Sequence, residues 1–132
     1  MDVLLTSANV DAITLFTENL ERSKEFYQDV FGLPIAFEDN DSAVFKFENT
    51  LINLLKIPAA HELIEPGVVA GPATGSRVQF TIGVADVDAV CTELARRGVH
   101  LLNGPMDRPW GIRTASFTDP SGHIWEIAAD LP

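Results

Sequence analysis

A glutamate stands inside one of the most apolar stretches of the chain, between Trp125 and Ile127 in "RPWGIRTASFTDPSGHIWEI" (108–127). Strand alternation puts Trp125 and Ile127 on one side and Ile124, Glu126 and Ala128 on the other. Glu126 therefore either faces solvent or lines a pocket. Two further runs have the same half-polar character. In 77–84, Gln79, Thr81 and Gly83 alternate with Phe80, Ile82 and Val84, and in 51–55, Asn53 alternates with Ile52 and Leu54. A carboxylate among neutral amides and a hydroxyl can accept hydrogen bonds or pair with a cationic group. In a dry enzyme site it would serve as a general base. Trp110 offers a planar face for stacking at a cavity mouth. Arg113 offers a planar fork for an anionic group, or is a surface residue.

The elements that must hold these side chains come in the same order twice. The first half predicts a strand at 10–16 and a helix capped by Asn19, with Leu20, Ser23, Tyr27 and Val30 at helical spacing. Gly32 ends that helix, and strands follow at 34–38, 42–47 and 50–56. The second half predicts a strand at 77–84, then a helix capped by Asp86 with a Val87, Val90, Cys91, Leu94 stripe and a stop at Gly98. Strands at 99–103, 111–117 and 123–128 complete it, with Asp119-Pro120-Ser121-Gly122 as a turn. Residues 58–76 are rich in Pro, Gly and Ala and read as a linker with room for one helical turn. The expected organisation is a single domain over 1–132, with module one at about 9–57 and module two at about 77–130.

Composition narrows the function. The formal net charge is −10, which opposes a nucleic-acid backbone and suits cationic small molecules. No apolar run approaches the roughly 18 residues of a membrane span, and the N-terminal residues carry no basic leader pattern. A single cysteine, Cys91, excludes an internal disulfide framework and fits a reducing, cytoplasmic setting. It lies on the apolar helix stripe, so packing is its expected role. The sequence contains neither a phosphate-cradling glycine loop nor a nucleophile elbow.

The order βαβββ–βαβββ, with "LERSKEFYQDVFGLP" (20–34) and "FTDPSGHIWEI" (117–127), resembles the vicinal oxygen chelate superfamily of glyoxalases, bleomycin-resistance proteins and extradiol dioxygenases. The resemblance implies an α+β fold in which two modules form curved mixed sheets around a cavity. Metal-dependent members hold a divalent ion with a His or Gln on the first strand of each module and a Glu on the last. Here those positions carry Ala12, Asn53, Gln79 and Glu126. Only Gln79 and Glu126 match, with Asn53 a weak third, so neither a metal nor another cofactor is expected. His61, His100 and His123 fall elsewhere; His100 begins a predicted strand and His123 lies across the sheet from Glu126. The implied function is binding of a small aromatic or cationic molecule by a homodimer with sites at the subunit interface. The ligand would meet Glu126, Gln79, Asn53, Thr81, Trp110 and Arg113. The alternative is a metal-dependent lyase, isomerase or dioxygenase acting on vicinal oxygens through Gln79 and Glu126.

Overall fold

The computed structural model describes Leu5 and residues 8–132. It contains β1 (Ala12–Thr17), α1 (Leu20–Asp29), β2 (Ile35–Glu38), β3 (Ser42–Lys46), β4 (Leu51–Lys56), α2 (Ile57–Ile64), β5 (Gln79–Gly83), α3 (Val87–Arg96), β6 (Asn103–Asp107), β7 (Ile112–Thr118) and β8 (Ile124–Asp130). Two four-stranded mixed sheets result, ordered β1-β4-β3-β2 and β5-β8-β7-β6. In each sheet the first strand pairs parallel with the fourth, and the remaining pairs are antiparallel. The architecture is the α+β arrangement of two βαβββ modules.

The helices form where their caps and stripes require. The Asn19 side chain accepts the Arg22 N–H at 3.1 Å, and the Asp86 side chain accepts that of Ala89 at 3.1 Å. Both helices end before a glycine at positive φ, Gly32 at 71° and Gly98 at 83°. At the end of α1 the last carbonyls are also taken up from the other module. Arg97 Nη1 donates to Val30 O at 2.8 Å and to Asp29 O at 3.3 Å, placing a cation at the helix C-terminus.

The sequence expectation fails at one element. The strand expected at 99–103 lies instead at Asn103–Asp107. Gly98 N–H bonds Ala95 O and Val99 N–H bonds Leu94 O, so the chain is still closing α3 there. Sheet pairing begins only when Leu102 N–H reaches Ser116 O. His100 is accordingly an exposed loop residue. Inside 58–76 the chain forms α2, which starts on Pro58 near its first turn and packs against β1 and β4.

One apolar core unites the two sheets. Leu15, Phe45, Ile52 and Leu54 from the first and Ala115, Phe117, Trp125 and Ile127 from the second belong to a single buried cluster with Tyr27 and Val87. The centre of this junction is polar. The Tyr27 hydroxyl, on α1, donates to Asp119 Oδ2 at 2.8 Å and accepts from Trp125 Nε1 at 3.1 Å. Asp119 closes the β7–β8 turn by accepting the Ser121 and His123 N–H groups on Oδ1, each at 3.0 Å. A buried hydroxyl contact, Thr17 Oγ1 to Ser23 Oγ at 2.7 Å, continues through Thr17 Oγ1 to Ser121 Oγ at 2.9 Å.

Burial, and then the negative charge of Asp119, hold the Tyr27 phenol far above the ordinary tyrosine range. Folding thus raises this pKa, so its stabilisation is fully present below about pH 10 and declines above it, where the unfolded chain gives up the proton first. Tyr27 is the only tyrosine. Alkaline titration of the native protein should therefore show no tyrosinate absorbance until it unfolds; a native titration near the free value would refute the buried hydrogen bond. Tyr27→Phe should cost about 2 kcal/mol in chemical unfolding, because it removes one donor from the buried Asp119 carboxylate and leaves the Trp125 indole N–H without an acceptor.

Candidate functional site

Strand register sorts the site residues by face. Thr81 pairs with Glu126, which pairs with Ser116, so these three share the side of the second sheet that points away from the core. Gln79 lies on the same side by alternation and Thr114 by its pairing with Ala128. Thr81 Oγ1 donates to Glu126 Oε1 at 3.0 Å, and Glu126 is half-buried while Gln79 and Thr81 are exposed. The first sheet presents an equivalent face. Thr14 pairs with Asn53, and Asn53 with Val44. Asn53 Nδ2 reaches Thr14 Oγ1 at 3.4 Å, while its Oδ1 is buried without a partner.

Each outer face has a polar centre and an apolar border. Phe37 pairs with Val44 and is 59% exposed. Met106 pairs with Thr114, and Trp110, in the β6–β7 turn, is 68% exposed. Arg108 was not foreseen as part of this region. Its Nε donates to Thr114 Oγ1 at 2.9 Å and its Nη2 to Asn103 Oδ1 at 3.3 Å. Its guanidinium carbon lies 6.0 Å from the centroid of Trp110, at the outer limit of a cation–π contact. The signal available in the sequence was a cation two residues before a turn tryptophan.

Arg113 is placed differently. It pairs with Ala129, which alternation puts on the helix-facing side, opposite Glu126. There it forms ion pairs with Asp88 of α3 at 3.0 Å and Asp107 of β6 at 2.8 Å. Hydrogen bonds to Asp88 and then Asp107 push its pKa above the usual arginine value. Arg113 thus ties α3 to the sheet, and the structure does not bring it to the Glu126 face. Cys91 is buried, and burial raises its thiol pKa, which suits packing and not nucleophilic chemistry. His123 turns toward Asp119, across the sheet from Glu126.

The donor set fits a bound divalent ion poorly. Ala12 supplies no ligand, Glu126 already accepts from Thr81, and Asn53 directs its amide to Thr14. Among the described residues, no three His, Cys, Asp or Glu side chains cluster in metal-binding geometry. Nor does one chain close over the polar centre. A cavity of about 720 Å³ runs between the sheets beside Phe47, Ile52, Phe80 and Trp125. Another, of about 370 Å³, lies between β1, residues 69–78 and the β7–β8 turn. Thr81 lines the larger and Thr14 the smaller, while Glu126, Gln79 and Asn53 line neither.

Residues 9–127 match the sequence family described as the Glyoxalase/Bleomycin resistance protein/Dioxygenase superfamily. The chain is 35% identical over 120 residues to the YraH protein of Bacillus subtilis (strain 168), covering 87% of this chain and 93% of that one. It is 24% identical to the metallothiol transferase FosB of Lysinibacillus sphaericus (strain C3-41), covering 93% and 83%. A glyoxalase/bleomycin resistance protein/dioxygenase crystal structure from Nocardioides superposes with a TM-score of 0.86 at 26% identity, covering 98% of this chain and 87% of that one.

The strand carrying the border of the second face depends on Gly104. Its φ is 84°, and a Cβ there would come within 2.4 Å of Thr114 O. Gly104→Ala should therefore displace β6 from β7, costing roughly 2 kcal/mol or more in urea unfolding and altering the tryptophan fluorescence, to which Trp110 contributes beside Trp125. A variant with unchanged stability and spectrum would show that this close approach does not position the border.

Proposed function

The chain belongs to the glyoxalase/bleomycin resistance protein/dioxygenase superfamily, and from that premise we propose that it binds a small aromatic or cationic molecule without a catalytic metal. The observation that carries this reading is the lone carboxylate of Glu126, flanked by Thr81 and Gln79 on an open sheet face. Thr81 occupies one oxygen of Glu126, and the other is available to a ligand cation or donor. The chain's charge of −10 would draw cations toward it.

A homodimer would complete the site, the outer face of module one in one copy closing over that of module two in the other. The polar centre would supply Glu126, Gln79 and Asn53 for orientation, and Phe37, Met106 and Trp110 a surface for stacking. Support comes from the exposure of those apolar side chains on single chains. It also comes from β1 and β5, which end their sheets with unpaired edges. In this reading Arg108 steadies Trp110, and Arg113 has no part in binding. The similarity to a metallothiol transferase favours the second reading, a metal-dependent enzyme, while the donor set weighs against it.

Thermal-shift and calorimetric screening of aromatic amines, basic antibiotics and divalent metals should identify a ligand that stabilises the fold. Glu126→Gln should weaken that ligand at least ten-fold, about 1.4 kcal/mol. Arg113→Gln should leave its affinity unchanged. Sedimentation should report a dimer. Stoichiometric metal, lost together with an enzymatic activity in Glu126→Gln, would replace this reading with the enzymatic one.

A further inference from the structure

The cavity of about 370 Å³ wraps the β1 edge, where it meets Thr14 but not Glu126, Gln79 or Asn53, and one of its walls is a histidine held by a buried carboxylate. His123 Nδ1 is 2.8 Å from Asp119 Oδ2, and the Asp119 side chain is only 1% exposed. The other contacts of that carboxylate are all donors: the Tyr27 hydroxyl on Oδ2 and two backbone N–H groups on Oδ1. Such a carboxylate asks for one more proton donor. The proton of the neutral ring therefore belongs on Nδ1, which leaves Nε2 as the acceptor of that form. Among the described residues Nε2 has no hydrogen-bond partner, and the ring, 17% exposed, lines the cavity. Orientation of an imidazole through its far nitrogen by a buried carboxylate is how binding and catalytic sites present the near nitrogen to a ligand.

The remaining walls define what fits. Ile13 and Phe16 of β1, with Val69 and Val78 from the segment between the modules, form an apolar body. Ser76 Oγ donates to Gly122 O at 2.6 Å, fastening that segment to the turn that carries His123. Arg77 stands at the rim, and among the described residues it makes no ion pair. Glu18, also at the rim, disfavours a second negative charge on the ligand.

We propose that this cavity is a second binding site, for a small single-ring carboxylic acid bearing a hydroxyl group. The hydroxyl donates to His123 Nε2, the carboxylate meets the Arg77 guanidinium, and the ring rests on Ile13, Phe16 and Val78. The volume is at the small end of ligand pockets, which span roughly 300–1,000 Å³, and so selects a single ring.

Calorimetric titration with 4-hydroxybenzoate tests the site, with benzoate and 4-hydroxybenzyl alcohol as probes lacking one or the other group. Saturable binding of one 4-hydroxybenzoate per chain is expected, weakened at least ten-fold by Arg77→Ala, by His123→Gln and in either truncated probe. Arg77 is exposed, so its variant keeps the fold even if His123→Gln loosens the turn. Glu126→Gln should leave this affinity unchanged, which separates the site from the outer face. Absence of saturable binding to the unmodified protein, or affinity indifferent to Arg77→Ala, would overturn the proposal. So would loss of binding in Glu126→Gln, which would move the ligand to the other face.

Discussion

The hydrogen bond from the Tyr27 hydroxyl to Asp119 is the constraint on which the arrangement of the two modules depends. It is buried, it joins a helix of the first module to a turn of the second, and each partner has further work. Tyr27 also receives the Trp125 indole N–H, and Asp119 fixes the turn through its second oxygen. The surrounding rings shield the bond, Phe45 stacked on Tyr27 and Phe26, Phe31 and Phe117 at edge or tilted geometries. In such surroundings an unpaired oxygen is costly, so docking of the modules is specific as well as apolar.

That docking uses the helix-facing sides of both sheets, and this leaves their other sides open. The division follows from strand alternation combined with register. Every apolar residue that meets α1 or α3 sends its neighbours to the outer face. Glu126 therefore occupies an apolar-looking stretch without being in the core. Its neighbours Trp125 and Ile127 fill the junction while it joins Thr81 on the far side. Arg113 shows the same rule working in the opposite direction, since one step of parity turns it to Asp88 on α3.

Much of this was legible from residue order. The helix caps, the glycine stops, the repeated order of elements and the face of Glu126 all rest on local rules that act within a few residues. What escaped depended on partners far along the chain. β6 begins where Leu102 first finds Ser116, and no pattern within "VHLLN" announces that meeting. Arg113 could be assigned only once α3 was laid over β7 to bring Asp88 to it. Asp119 and His123 looked like turn residues because their spacing suits a turn, and it does; their link to Tyr27 is a long-range event.

The repeat is unequal at its centre. Tyr27 is the eighth residue of α1, whereas the eighth residue of α3 is Leu94, which adds only apolar packing to the core. Arg97 in turn grips the end of α1. Each half has thus become a lock for which only the other half is the key. The two halves cannot replace one another: two first modules would bring together two phenols with no acid between them, and two second modules two acids with no phenol. Any descendant of this chain that splits, shuffles or fuses its halves must keep one of each kind.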